Sequence, residues 1–453
     1  MSSTSTASAP AAALALAQRV ARSRFVRDFG KLTGATIGSQ LIALAVAPIL
    51  TRLYAPATFG VYQLYVSIVS VGLVVVSLRY EIAIPVAANE TRAAQLAVLA
   101  LRVAVTFGLS VSATGCVWLL LHKNASMYGA VDGVAVICLG FSLMFGGIAN
   151  ILSYLAIRRR EFGVVGVARI TQSSTMMTAS VAGGAMLPLS GVLLASDAIG
   201  RLSGALWVLR KYWSNLKNVN CSRLKLWAVG RRYRDYPLVS VPSGIVNVAG
   251  LSVTPVLLFS LFGAVPVAFF GLVDRVFAAP GVLVSTAVSQ LYAGEFARLR
   301  SDGPAALRRT MLRLMMMQAA VGIIPFSAIA ILGHRLFPVV FGSQWQEAGV
   351  YAALLVPGYF AGFLVGPLHL TLLMLERQRW QLGWDCGRLA GVALGWGLNS
   401  YLGGSIRTGL VVYTLVQTCS YIAYAVLSLK AVSRDGQRPP AVPGAVALDV
   451  MEP

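Results

Sequence analysis

Acidic side chains are scarce in this sequence. Its 453 residues hold 16 Asp and Glu against 37 Lys and Arg, and charged residues of both signs make up only 12%. A water-soluble domain carries roughly a quarter charged residues. Half that share, with 57% hydrophobic residues and a mean hydropathy of +0.74, does not fit a water-exposed globule, so lipid is the expected solvent. The three histidines, His122, His334 and His369, form no cluster. The five cysteines, Cys116, Cys138, Cys221, Cys386 and Cys419, have no metal-ligand spacing and read as small core residues, neither disulfides nor metal ligands. No phosphate-binding glycine loop, nucleophilic triad or metal box is found, so the chain cannot hydrolyse ATP itself. No cofactor and no enzymatic activity are expected, and active transport would have to draw on an ion gradient or the membrane potential. The net charge of +21 would suggest nucleic acid if it formed one surface patch, so the placement of the cations decides its meaning.

What the sequence has in quantity is long apolar runs. A bilayer core of about 30 Å needs about 20 mostly apolar residues per helix, because every backbone polar group must be satisfied within the span. Such runs are expected at 32–54, 61–78, 103–121, 131–157, 164–186, 191–209, 238–262, 267–291, 314–332, 348–375, 382–402 and 408–429. The expected fold class is all-α, a polytopic membrane protein with about 12 transmembrane helices. The spans divide into a disordered cytoplasmic tail at 1–30, a six-helix lobe at 31–209, a basic cytoplasmic linker at 210–236, a second six-helix lobe at 237–432 and a disordered cytoplasmic tail at 433–453. The first span carries Pro48 and the seventh Pro255 in similar strings, Ala45 to Leu50 and Ser252 to Leu257. Paired interrupted helices of this kind suit two lobes around a central cavity.

With the N-terminus inside, 31 of the 37 cations fall in inner segments. Arg52, Lys123, Arg335 and Arg407 lie at outer ends, and Arg201 and Arg275 fall within spans. This positive-inside pattern repeats at every loop, and one helix more or fewer would invert all later loops. Both termini are therefore expected in the cytoplasm, membrane lipids are expected partners, and nucleic acid is not. The linker holds Tyr212, Trp213, Trp227 and Tyr233 among its cations and reads as an interfacial amphipathic segment on the anionic inner leaflet. Outer loops are short, the longest running from about His334 to Glu347, which leaves no room for the loop domain a glycan polymerase or ligase would need.

A charge at the centre of a span costs roughly 2.5–3.5 kcal/mol on insertion scales, so each one needs a partner or a wet cavity. Asp197 and Arg201 sit four apart on one helical face and can neutralise each other, with Gly200 and Gly204 supporting close packing there. Asp274 and Arg275 are adjacent, about a hundred degrees apart, and cannot share a direction. Arg275 heads a polar stripe through Ser285 and Ser289, which points it towards a cavity. Arg52, Arg201 and Arg275 are the candidate substrate-binding cations, and Asp274 and Asp197 the candidate coupling-ion groups. Asp385 and Arg388 read as an interfacial pair, and Gln40, Asn150, Gln172, Asn247, Gln318 and Gln417 as interhelical glue.

Several strings carry a family likeness. Leu50-Thr51-Arg52-Leu53-Tyr54-Ala55-Pro56-Ala57-Thr58-Phe59-Gly60-Val61-Tyr62 and Arg79-Tyr80-Glu81-Ile82-Ala83-Ile84-Pro85 are two of them. In the second half Tyr233-Arg234-Asp235-Tyr236-Pro237, Leu261-Phe262-Gly263 and Phe341-Gly342-Ser343-Gln344-Trp345-Gln346-Glu347-Ala348-Gly349 follow the same pattern. Together they resemble the bacterial oligosaccharide flippases, the Wzx-like polysaccharide transporters of the multidrug/oligosaccharidyl-lipid/polysaccharide exporter superfamily, over roughly 29–430. The resemblance implies a V-shaped pair of lobes around a cationic cavity. It also implies carriage of a polyprenyl pyrophosphate-linked oligosaccharide across the bacterial inner membrane by alternating access, for lipopolysaccharide or exopolysaccharide synthesis beside a polysaccharide polymerase and chain-length machinery. A cation-coupled drug exporter of the same superfamily is the alternative, and would favour acidic cavity residues.

Overall fold

The computed structural model describes residues 24–121, 127–217, 222–375 and 377–435. His122, Lys123, Cys221, Arg438 and most of both expected tails lie outside the described residues. Among the described residues the secondary structure is helical, with no strand. In chain order the helices are α1 (Arg24–Leu53), α2 (Pro56–Val75), α3 (Tyr80–Ala83), α4 (Glu90–Leu121), α5 (Met127–Arg158), α6 (Phe162–Met186), α7 (Ser190–Lys217), α8 (Arg223–Arg232) and α9 (Val241–Phe262). They continue with α10 (Ala264–Ser301), α11 (Pro304–Phe341), α12 (Gln346–Val365), α13 (Thr371–Met374), α14 (Gln378–Tyr401) and α15 (Ile406–Asp435).

Each expected span coincides with a helix, the tenth being α12 and α13 joined by a tight turn at Gly366–Leu370. Eight helices among the described residues are long and apolar enough to cross a bilayer, nine if the two arms meeting near residue 251 count as one. The helices overrun their expected ends. Residues 24–30 belong to α1 and 433–435 to α15, where tails were expected. The 32 residues of α4 span roughly 48 Å at 1.5 Å per residue, well beyond the hydrocarbon core. Continuing the helix is the simplest way to keep backbone groups bonded where the chain leaves lipid.

Two compact units emerge, Met1–Val248 and Ala249–Pro453. The division falls later than the basic segment 210–236 because that segment is tied to the first unit. Tyr212 is fully buried and donates to Glu161 at 2.9 Å, the Tyr80 hydroxyl donates to the Gly230 carbonyl, and the Arg79 guanidinium fills the space beside Gly244.

In the first unit α4 and α5 approach closely at Gly108 and Gly140. A Cβ on Gly108 would stand 2.7 Å from the Gly140 carbonyl, so only hydrogen fits there. The α1–α2 turn is short: Ala55 is extended, Pro56 opens α2, and the buried Tyr54 donates to the Ser180 carbonyl at 2.8 Å. The turn from α2 to α4 is more irregular, with left-handed backbone at Leu78 (φ 51°) and Arg79 (φ 60°). Arg158, at the end of α5, holds it in place. Its Nη1 donates to the carbonyls of Ile84, Pro85 and Ala87 at 3.0, 3.0 and 2.8 Å, and its Nε donates to Glu90 at 2.7 Å. Within the turn the Ser77 hydroxyl donates to the buried Glu81. Burial raises the Glu81 carboxyl above its usual range, opposed by the Ser77 bond and by the charge of Arg79.

In the second unit the break in α9 is explained by Pro255, whose ring clashes with the carbonyl four residues back, at residue 251. Pro48 lies inside α1, which continues unbroken to Leu53, so the two matching prolines act differently. Between α11 and α12, Gly342 adopts φ 107°, and the following Trp345 is fully buried with its ring edge-on to Phe269 at 5.8 Å. Another core gathers around Tyr292, Met311, Leu368, Trp384 and Tyr424.

Replacing Arg158 by Lys removes the fork that bonds the three carbonyls from Nη1 and Glu90 from Nε at once, since an ammonium is a compact point charge. The variant should lose about 1–3 kcal/mol of stability, read as a lower melting temperature in detergent, with protease cleavage appearing between residues 76 and 89. Unchanged melting and cleavage would show that the turn holds without the clamp.

Candidate functional site

The first unit carries a buried polar chain across α2, α5 and α7. The Tyr65 hydroxyl lies 2.7 Å from Ser142 Oγ and 2.9 Å from the Cys138 carbonyl. Ser142 Oγ donates to Asp197 Oδ2 at 2.8 Å, and Arg201 Nε donates to the same oxygen at 2.7 Å. Every donor has an acceptor in this chain, and the carboxylate collects two of them. The pair is well sealed, with Asp197 3% and Arg201 14% exposed by side chain. The sequence allows it because the two residues are one helical turn apart and Gly146 leaves room for the guanidinium, standing 3.2 Å from where its Cβ would be. On the same helix Gly200 and Gly204 meet α6 closely; a Cβ on Gly200 would be 2.9 Å from the Gln172 carbonyl. The expected mutual neutralisation is present. Arg201 therefore offers much less charge to a substrate than its sequence position suggested.

The second unit holds a cavity of about 520 Å³ between α10, α11, α12 and α15. Aromatic rings form most of its wall, among them Phe277, Phe326, Tyr359, Phe363, Tyr413 and Tyr421. Phe277 stacks on Tyr359 with ring centroids 4.7 Å apart. The Tyr359 hydroxyl donates to Asp274 Oδ1 at 2.7 Å, so the carboxylate is linked to the cavity through a lining side chain. Gln417 donates from Nε2 to the Tyr413 hydroxyl at 2.8 Å, while its Oε1 is buried with no partner among the described residues. Ser285, Ser289 and His369 complete the polar part of the wall.

The expected polar stripe on α10 is thus divided. Ser285 and Ser289 line the cavity, whereas Arg275 is half-buried and is not among the lining residues. Turning by a hundred degrees per residue sets Arg275 and Ser285 about eighty degrees apart around the helix, enough to separate them. Arg52 is exposed at the end of α1. Asp385 and Arg388 are both buried but form no ion pair with each other among the described residues. The Arg388 guanidinium lies over the Trp384 ring at 4.9 Å, and Asp385 accepts from Gln381 Nε2 at 3.3 Å, so each found a partner on its own helix. No group of three or more His, Cys, Asp or Glu able to hold a metal occurs among the described residues.

Tyr359 and the aromatic wall were not singled out by sequence. Tyr359 is 85 positions from Asp274, and aromatic residues on apolar helices ordinarily signal packing. Gln417 was read as glue, and half of it is: one end of the amide is bonded and the other is not.

Structures with the same architecture are known. Lipid II flippase MurJ in an inward closed conformation aligns with TM-score 0.64 and 10% identity, covering 90% of this chain and 90% of that chain. An inward-facing multidrug resistance MATE transporter of the MOP superfamily aligns at 0.55 with 13% identity, covering 90% and 95%. A mutant of the Vibrio cholerae MATE transporter VcmN aligns at 0.54 with 16% identity, covering 90% and 97%. At these identities the likeness is one of fold, that of a multi-span membrane transporter. A search of curated sequences finds no match. The family model described as polysaccharide biosynthesis protein matches residues 49–350, which run from the end of α1, through the Asp197–Arg201 pair and Asp274, into α12. That is more than half of the chain, and the chain belongs to this polysaccharide biosynthesis family.

Proposed function

We propose that the protein flips a polyprenyl pyrophosphate-linked oligosaccharide repeat unit from the inner to the outer leaflet of the bacterial inner membrane, by alternating access. In this reading twelve helices cross the bilayer, both termini are cytoplasmic, and the product feeds a polymerase and chain-length machinery that build a surface or secreted polysaccharide. The observation that carries it is the family match over residues 49–350 in a chain with a transporter fold. The placement of 31 of 37 cations in inner segments supports the orientation.

Arg275 and Arg52 are the cations assigned to the pyrophosphate, since Arg offers a bidentate fork to phosphate oxygens in a partly dry site. Arg201 serves the first unit as the partner of Asp197. Asp274 is the assigned coupling group, a carboxylate that trades a proton or sodium ion against its bond from Tyr359. A second reading, a cation-coupled drug exporter, is favoured by one observation, the aromatic cavity with a carboxylate bonded to its wall. Cationic drugs suit such a surface, because aromatic faces attract cations.

Replacing Arg275 with Ala should stop export of the polysaccharide while the protein remains in the membrane, and Arg275→Lys should restore part of it, as measured by surface polysaccharide in a strain lacking the chromosomal copy. Normal polysaccharide with Arg275→Ala would remove Arg275 from the site. Resistance to cationic dyes, with no effect on polysaccharide, would favour the exporter.

The buried pair gives a different expectation. Asp197→Asn strands the Arg201 charge and should cost roughly 3–5 kcal/mol, whereas Asp197→Leu with Arg201→Met should recover most of that stability. Export by the stable double variant would mark the pair as structural; a stable but inactive double variant would return Arg201 and Asp197 to the transport site.

For Asp274, the Asn variant should still bind lipid-linked substrate but lose acceleration by an imposed proton or sodium gradient in proteoliposomes. Gradient-driven flipping at the unaltered rate would exclude Asp274 as the coupling group.

A further inference from the structure

The basic helix α8 sits over a groove that the transport reading does not use. Ser222 caps the helix, its hydroxyl accepting from the Lys225 amide, and Leu226 is buried against the first unit. Leu224 and Trp227, by contrast, are 81% and 65% exposed. Beneath the helix lies a groove of about 530 Å³, walled by Leu78, Leu99 and Val103 on one side and by Leu226 and Trp227 on the other. Gly230 allows the approach: a Cβ there would stand 3.3 Å from Leu99, and its carbonyl accepts from Tyr80 at 3.3 Å. Arg231, an exposed lining residue, has its guanidinium over the Trp227 ring at 5.4 Å and makes no ion pair among the described residues. Lys225, Arg232 and Arg234 are exposed close by in sequence, against one acid, Asp235.

We propose that this groove seats an anionic phospholipid of the inner leaflet, one acyl chain lying between α8 and α4 and the phosphate held by Arg231. Three features favour this occupant. The walls are apolar, as an acyl chain requires. The one charged lining residue is a cation, stacked on an aromatic ring of the kind enriched at the membrane interface. The helix around it combines exposed Leu and Trp with an excess of Lys and Arg, which fits a negatively charged lipid surface and not a neutral one. Leu78, in the irregular turn, and Tyr80 just after it line the same groove, so an occupied groove would brace the join between α2 and α4.

The test uses the full-length protein in vesicles without lipid-linked substrate, containing phosphatidylcholine with a fixed share of brominated phosphatidylglycerol or brominated phosphatidylcholine. Quenching of Trp227 is read as the difference between the unaltered protein and Trp227→Phe. Brominated phosphatidylglycerol should quench more strongly at equal mole fraction. Arg231→Gln should reduce that preference about fivefold, the factor corresponding to one surface cation, and Val103→Phe, which narrows the groove without altering charge, should weaken quenching by both lipids. Equal quenching by the two lipids, or a preference unchanged in Arg231→Gln, would overturn the proposal, as would loss of quenching on adding polyprenyl pyrophosphate, which would assign the groove to the carried lipid. Because the readout needs no transport, failure here leaves the polysaccharide export assays to judge the flippase reading separately.

Discussion

An ionised side chain inside hydrocarbon must have its charge answered within the protein, and the two units meet that requirement in opposite ways. In the first, Asp197 receives both the Ser142 hydroxyl and the Arg201 guanidinium, and Tyr65 completes the chain behind Ser142. Three helices are tied by a set of bonds that leaves the carboxylate no need of solvent. Breaking any one contact exposes an uncompensated group in low dielectric, which is why such a cluster favours a single arrangement. In the second unit Asp274 has a neutral partner, the Tyr359 hydroxyl, whose ring belongs to a cavity wall. A neutral donor does not cancel a negative charge, so the two carboxylates differ in how they are answered: one by a cation and a hydroxyl, the other by a hydroxyl alone among its hydrogen-bond donors.

The same demand for satisfaction governs the backbone. Where helices run on beyond the hydrocarbon, as α4 does, the intrahelical bonds continue and nothing further is required. Where the chain must turn, other groups take over. Three carbonyls of the α2–α4 turn are met by one nitrogen of Arg158 while its Nε bonds Glu90, and only a planar, forked donor can serve both from separate nitrogens. At α9 the missing N–H of Pro255 breaks the helix near residue 251, whereas α1 passes through Pro48 unbroken. Proline supplies the opportunity for a break, and the packing around it decides whether the break occurs.

Much of this was legible in the sequence, because lipid imposes long one-dimensional signals. The apolar runs located the long helices but not α3 or α8, and one-turn spacing foretold the Asp197–Arg201 pair together with the close packing at Gly200 and Gly204. What escaped was long-range or depended on direction. Tyr359 could not be matched to Asp274 from positions 85 apart. Arg158 looked like one more inner-loop cation, yet it is a backbone clamp. Asp385 and Arg388 looked like a pair by spacing, but the Trp384 face beside Arg388 and the Gln381 amide beside Asp385 answered them separately. Spacing tells which residues can meet; it does not rank the partners competing for them.

That distinction bears on the cationic excess itself. For the expected orientation the 31 cations of the inner segments are interchangeable, since the positive-inside bias counts charges without regard to their partners. Structurally they are not equivalent. Arg158 is consumed by backbone carbonyls and Glu90, Arg388 by an indole ring, and Arg79 by a crowded turn where its Nε is buried without a partner among the described residues. Arg231 remains exposed beside an apolar groove. A buried cation packed within the protein is less able to hold a phosphate than an exposed one, because the phosphate cannot reach it without being desolvated. The cations available to anionic lipid or substrate are therefore those left exposed, and the local bonding of each one determines which role it can take.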